Sequence, residues 1–159
     1  MFPAEVLPFV VVFSNLVHFV LGLPILFAFL IYYGKLNPTL IYFPAIVIIQ
    51  LVFTLGVCLF VSALSVHFRD VQNIMGNLVM FWFFASPVIY SYILLPNLQK
   101  WLNFNPMTHI LVGYHQTLFF SDGLGHWPWV LFIAGFSVVV FFFGYFFFDR
   151  MRDTFAEEV

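Results

Sequence analysis

Apolar residues fill four runs of the chain, 7–33, 39–66, 71–93 and 129–148, with short polar breaks between them. Each run is long enough to cross a bilayer, for which a helix needs ~20 apolar residues. In the first run Ser14, Asn15, His18 and Gly22 recur at helical spacing as one narrow polar stripe. In lipid such a stripe should face other helices. His18 reads first as an interhelical hydrogen bond and second as a substrate or proton contact. Pro3 and Pro8 suit a helix start, and Pro24 suits a kink. Gly34 to Thr39 reads as a turn, with Asn37 as N-cap and Pro38 at the first helical position.

The second run places Gln50, Thr54, Cys58, Ser62 and Ser65 at i+3 and i+4 steps, which predicts an inward face. Phe53, Leu55, Leu59 and Phe60 are left for lipid or neighbouring helices. Val71 opens the third run, with Asn73, Gly76, Asn77, Met80 and Phe84 on one side. Pro87 falls ~25 Å along it, near the far interface, and frees the carbonyl of Phe83 there. The stretch from Lys100 to Asp122 is different. It is rich in polar residues, and Asn105–Pro106 looks like a cap and helix start in its middle. We read residues 96–120 as two short helices dipping into the outer leaflet, a re-entrant hairpin before the last span. Trp127 and Trp129 suit an interfacial belt, and Asp149 to Asp153 should stop the final helix.

Charge arranges these pieces. Arg69 and Asp70 are the only charged residues between Lys35 and Lys100. A charge at the centre of a spanning helix costs ~2.5–3.5 kcal/mol, so the pair belongs in a tight loop at a membrane face. Asp70 can cap the following helix there. Four crossings put Arg69, Arg150 and Arg152 on one side and Lys35 and Lys100 on the other, as the positive-inside rule prefers. That side would be cytoplasmic, with Met1, Asp70 and Val159 inside and Lys35, Lys100 and Gly123 outside. The expected fold is an all-α integral membrane protein of one transmembrane domain, four spans and the outer hairpin.

Composition agrees. The 159 residues are 64% hydrophobic and only 8% charged, too little charge to cover a soluble domain of this size. No basic patch or phosphate-cradling glycine loop points to nucleic acid or nucleotide. The single Cys58 excludes an intrachain disulfide and a cysteine metal site. The histidines are scattered, and the spacing of His109 and His115 does not bring them together on one helix face. No catalytic set and no metal site is evident. Aromatic residues make up 23% of the chain. Those around Trp82, Phe83, Tyr90 and Tyr92 sit beside polar side chains. Aromatic faces next to hydrogen-bonding groups suit sugar rings, although an interface belt would look the same.

An ordered set of motifs adds to this reading. Phe2–Pro3–Ala4–Glu5–Val6–Leu7–Pro8, Phe68–Arg69–Asp70–Val71, Ser86–Pro87–Val88–Ile89–Tyr90, Leu95–Pro96 and Asn105–Pro106–Met107–Thr108 follow one another along nearly the whole chain. In that order and spacing they resemble the permease subunit of type 2 ABC exporters, within the group exporting O-antigen, capsule and teichoic acid. The resemblance implies a polysaccharide exporter that works as a permease homodimer in the bacterial cytoplasmic membrane. It implies a separate ABC ATPase subunit that holds ATP and Mg, with no cofactor in this chain. It places Glu5, Arg69 and Asp70 on the cytoplasmic coupling side. Pro87, Pro96, Asn105 and Pro106 fall in the outer gate helices. Trp82, Tyr90, Tyr92 and Tyr114 become candidate substrate-path residues. The family's N-terminal amphipathic helix and first two spans have no counterpart in this sequence, so the chain is expected to be the C-terminal part of such a permease. The alternatives are a drug or lipid exporter of the same superfamily, or a membrane scaffold that transports nothing.

Overall fold

In lipid no water satisfies the backbone, so a membrane segment must bond its own N–H and C=O groups, and a helix does so locally. The computed structural model, which describes residues 6–68, 70–90, 92, 99–119 and 125–155, follows that rule. Helix α1 covers Val6–Tyr32, a short 3-10 helix Pro38–Tyr42, and α2 Phe43–His67. Helix α3 covers Val71–Ala85, α4 Gln99–Leu102, α5 Pro106–Phe119 and α6 Trp127–Phe155. There is no strand among the described residues. The protein is an all-helical membrane protein. Among the described residues three segments are long and apolar enough to cross a bilayer: Val6–Tyr32, Pro38–Ser65 and Trp127–Met151. Glu5, Arg69 and Pro96 lie outside the described residues, as do residues 121–124 of the expected external turn and residues 156–159 of the tail.

The helix ends differ from expectation in ways that have physical reasons. Helix α1 runs unbroken through Pro24 and closes at Gly34, whose φ of 63° is left-handed. The Lys35 N–H reaches the Leu30 carbonyl at 2.9 Å and the Gly34 N–H the Ile31 carbonyl at 3.0 Å, so glycine ends the helix here. Asn37 precedes Pro38 as read, but its side chain makes no cap bond. The same holds at α3: Asp70 occupies the cap position with αR backbone angles and no side-chain cap bond. Side-chain capping normally needs an extended cap residue, and Asp70 is already helical. Helix α3 is 15 residues long and stops at Ala85, well before residue 93. Helix α6 does not stop at Asp149 but continues through the charged cluster to Phe155. Charges end a membrane span, but a helix can run on into water.

The centre of the fold is the crossing of α2 and α6. A Cβ on Gly56 would lie 2.6 Å from the Phe141 nitrogen and 2.7 Å from its Cα, and Gly144 faces the Gly56 carbonyl. Without a hydrophobic force between helices in lipid, close backbone approach through small residues supplies the packing. The buried residues of α2 are Phe43, Ile46, Phe53, Leu55, Gly56, Leu59 and Ala63. The expected polar face is displaced to one side, with Thr54 exposed. On α1, Ser14, Asn15 and His18 are exposed too. The Asn15 amide donates to the Val11 carbonyl at 2.9 Å, and His18 Nδ1 lies 2.8 Å from the Ser14 carbonyl. These side chains bond their own helix one turn back, so they need no helical partner.

Two ends can be told apart. Leu59, Ala63 and Phe148 form one cluster with Phe9 and Met151, joining the start of α1 to the ends of α2 and α6. Leu30, Phe43 and Leu118 form another with Leu26 and Phe27, joining the end of α1, the start of α2 and the end of α5. Between them Ile46, Phe53, Ile110 and Ile133 pack α5 into the angle between α2 and α6. The Thr39 hydroxyl donates to the Thr117 carbonyl at 3.0 Å inside that end. The Gly34–Asn37 turn and the α4–α5 hairpin thus share one end, and the end of α2 lies at the other.

Candidate functional site: the amide and aromatic cluster at the hairpin end

A proline ends α3, and the site grows from the carbonyls it leaves. Pro87 cannot donate, so the last turn of α3 has acceptors without helical partners. The Phe83 carbonyl takes the Ser86 N–H at 3.3 Å. The Phe84 carbonyl faces the Tyr90 hydroxyl at 3.5 Å, a long and weak contact. The Ala85 carbonyl accepts from the Asn105 amide at 3.2 Å. Ser86 and Pro87 are both buried.

Asn105 is the hub. Its Nδ2 also donates to the Ser86 hydroxyl at 2.9 Å, and its Oδ1 accepts from the Trp82 indole N–H at 2.8 Å. The same oxygen accepts the Met107 N–H at 3.0 Å and so caps α5, with Pro106 next in line. One side chain thereby fills its two donor and two acceptor sites while locking the end of α3 to the start of α5. The fold brings the Ser86–Pro87 and Asn105–Pro106 pairs, nineteen residues apart in sequence, together through the Asn105–Ser86 bond. Thr108, fully buried in the same turn, has no hydrogen-bond partner for its hydroxyl.

A second layer lies alongside. The Tyr92 hydroxyl donates to Asn103 Oδ1 at 2.8 Å, and the Gln99 amide donates to the Tyr92 carbonyl at 3.3 Å. His109 is buried, with Nε2 3.0 Å from the Asn103 carbonyl and Nδ1 2.8 Å from Nε2 of His126. A carbonyl only accepts, so His109 Nε2 carries its proton, and Nδ1 accepts from His126 Nε2–H. The Trp129 ring stacks on His109 with centroids 4.7 Å apart and planes 4° from parallel. The His126 N–H donates to Gln116 Oε1 at 3.1 Å. Burial, opposed weakly by the bond to Asn103, holds the His109 pKa below its ordinary value. Burial and the neighbouring His109 charge push His126 down to about 4. Sequence spacing concealed this pair, because His109 stands in the first turn of α5 and His126 just before α6.

The candidate residues divide. Trp82, Tyr90 and Tyr92 gather with Pro87, Asn105 and Pro106 at this end. Tyr114 points into the core, where its hydroxyl donates to Gln50 Oε1 at 2.5 Å. Burial raises its pKa, so the phenol stays a donor. A cavity of about 340 Å³ opens beside Asn103, His109 and Trp129, walled by Phe104, Phe132 and Phe136. A smaller one of about 120 Å³ lies between α1 and α2 at Asn15, Gln50 and Thr54. None of the four candidate path residues lines either. Among the described residues no group of three or more His, Cys, Asp or Glu could hold a metal. The cluster holds helix ends together and presents aromatic edges.

Comparison with known proteins agrees with the motif set. Residues 2–119 match the ABC-2 type transporter family model. The O-antigen export system permease protein RfbA of Myxococcus xanthus is 38% identical over 99% of this chain and 62% of its own length. Two proteins of the same name from Klebsiella pneumoniae are 28% and 26% identical, each over 98% of this chain and 61% of its own length. The chain therefore spans about three fifths of the curated relatives it matches.

Proposed function

The chain belongs to the ABC-2 type transporter family, and from that premise we propose that it is the membrane permease part of an exporter moving a lipid-linked polysaccharide across the bacterial cytoplasmic membrane. The observation that carries the reading is the near-complete alignment with an O-antigen export permease at 38% identity. The contact between Ser86–Pro87 and Asn105–Pro106 gives its motifs a structural reason. ATP and Mg belong to a separate ABC ATPase subunit, and a second permease copy completes the channel. Four crossings fit the two ends of the fold. In this arrangement α3 belongs to the third crossing, and the α4–α5 hairpin is re-entrant at the outer face. Glu5, Arg69 and Asp70 then face the ATPase.

At the outer end, short helices joined by side-chain hydrogen bonds can move without unwinding whole spans. Trp82, Tyr90 and Tyr92 offer aromatic faces for weak, repeated contact with sugar rings, as conduction requires. Tyr114 would join that path only when the hairpin shifts. Deletion of the encoding gene in its host tests the reading. Surface polysaccharide should be lost while lipid-linked polymer accumulates inside the cell, and the intact gene should restore it. Normal surface polysaccharide with altered lipid or drug efflux would instead favour the other exporters of the superfamily.

A further inference from the structure

The two histidines stand where the hairpin meets the last span. His109 lies in the first turn of α5, and His126 immediately precedes α6. Their ring nitrogens are 2.8 Å apart, their centroids 5.1 Å, and Trp129 stacks on the outer face of His109. We propose that His109 and His126 form a proton-operated latch that fastens the α4–α5 hairpin to the start of α6 and releases it on acidification.

The number of protons on the pair decides whether it holds. In the neutral pair, His126 Nε2–H donates to His109 Nδ1, and His109 Nε2–H donates to the Asn103 carbonyl. Every proton has an acceptor. One added proton can be held, because it sits on the free Nδ1 of His126 or turns the central bond around. A second proton makes both rings cationic at hydrogen-bond distance with no acceptor between them, inside an aromatic enclosure. The unfavourable charge disappears if the hairpin swings away and both rings meet water.

Among the described residues of the flanking elements no carboxylate compensates. From Trp127 to Gly144, α6 carries no charged side chain. The neighbouring Tyr92 ring meets His126 edge-on at 6.2 Å, and the Tyr42 ring meets Trp127 at 5.4 Å. On the hairpin, Lys100 is the one described charged side chain, His115 contacts Phe119, and Tyr114 is bound to Gln50. Asp122 lies outside the described residues. The sign follows from the lowered values. The latch is fully stable when both states are neutral. It loses stability as pH falls through the ordinary histidine range, where the open state binds two protons and the latched pair at most one, and the loss levels off below about 4.

The latch does not depend on the cargo; only its link to transport rests on reading the hairpin as an outer gate, and the test reads the hairpin alone. Spin labels at Trp101→Cys on α4 and Leu131→Cys on α6, both exposed, are placed in the full-length protein in nanodiscs with Cys58→Ser. Pulsed dipolar spectroscopy should show one narrow distance at about pH 8 and a growing longer population toward about pH 4, by at most ~10-fold per pH unit for each proton. His126→Gln, whose amide can still donate to His109 but cannot charge, should keep the short distance throughout. ¹⁵N spectra of the unmutated protein should show His126 neutral down to about pH 5. A distance unchanged by pH, a glutamine variant that opens like the wild type, or a His126 ring titrating near its ordinary value would each overturn the latch.

Discussion

Adding one methyl group at Gly56 tests the packing account directly. The new Cβ would sit 2.6 Å from the Phe141 nitrogen and 2.7 Å from the Phe141 Cα and Val140 carbonyl carbon. Carbon atoms pack at ~3.5–4.0 Å, so α2 and α6 must part by about 1 Å along this seam. The obstructing atoms are backbone, and no rotamer change can relieve them. Overpacking of this kind costs ~1–3 kcal/mol. Alanine in place of glycine returns ~0.8–1 kcal/mol of helix propensity. Gly56→Ala should therefore be destabilising by up to ~2 kcal/mol, and Gly56→Leu by more. Gly22, Gly76 and Gly135 provide the control, since a Cβ there meets nothing within 4 Å. Alanine at those positions should be neutral or stabilising. The assay is the thermal midpoint of the detergent-solubilised protein, followed by fluorescence-detected size exclusion. Equal midpoints for Gly56→Ala and Gly135→Ala would refute the close crossing.

Other substitutions separate the remaining contacts. Asn105→Ala removes four hydrogen bonds and should cost ~2–4 kcal/mol, whereas Trp82→Phe removes one and should cost ~0.5–1.5 kcal/mol; similar losses in the same thermal assay would deny Asn105 its central place. Thr108→Val keeps the shape of a buried side chain whose hydroxyl is unpartnered, and should be neutral or stabilising by up to ~1 kcal/mol. A loss above that value would reveal a hydroxyl contact. Because Asp70 makes no side-chain cap bond, Asp70→Asn and Asp70→Ala should agree within ~0.5 kcal/mol; a clearly more stable Asn variant would show that the side chain caps α3 after all.

Much of this was readable in sequence because lipid leaves the backbone few choices. Long uncharged runs give helices α1, α2 and α6 almost regardless of detail. Asn105–Pro106 marked the α5 start correctly because an Asx cap and a proline at the first turn are local chemistry. Pro87 marked the end of α3, but its effect came earlier, at Ala85. Polar stripes misled. Asn15 and His18 look like contact residues, yet a carbonyl one turn back satisfies each. The real seam is small residues, Gly56 and Gly144, which carry no periodic signal strong enough to stand out. His109 and His126 were out of reach for another reason: their meeting depends on how α5 folds back, which is a tertiary fact.

The central claim, that this chain is permease machinery for polysaccharide, is tested most directly by reconstitution. The full-length protein and its ATPase partner are placed in sealed proteoliposomes with lipid-linked polysaccharide on the outer leaflet, the side exposed to added ATP. ATP with Mg should carry the polymer into the lumen, where an added glycosidase cannot reach it. An ATPase-dead partner should abolish that protection. Polymer that stays accessible to the glycosidase, with an active ATPase and an intact complex, would contradict the account.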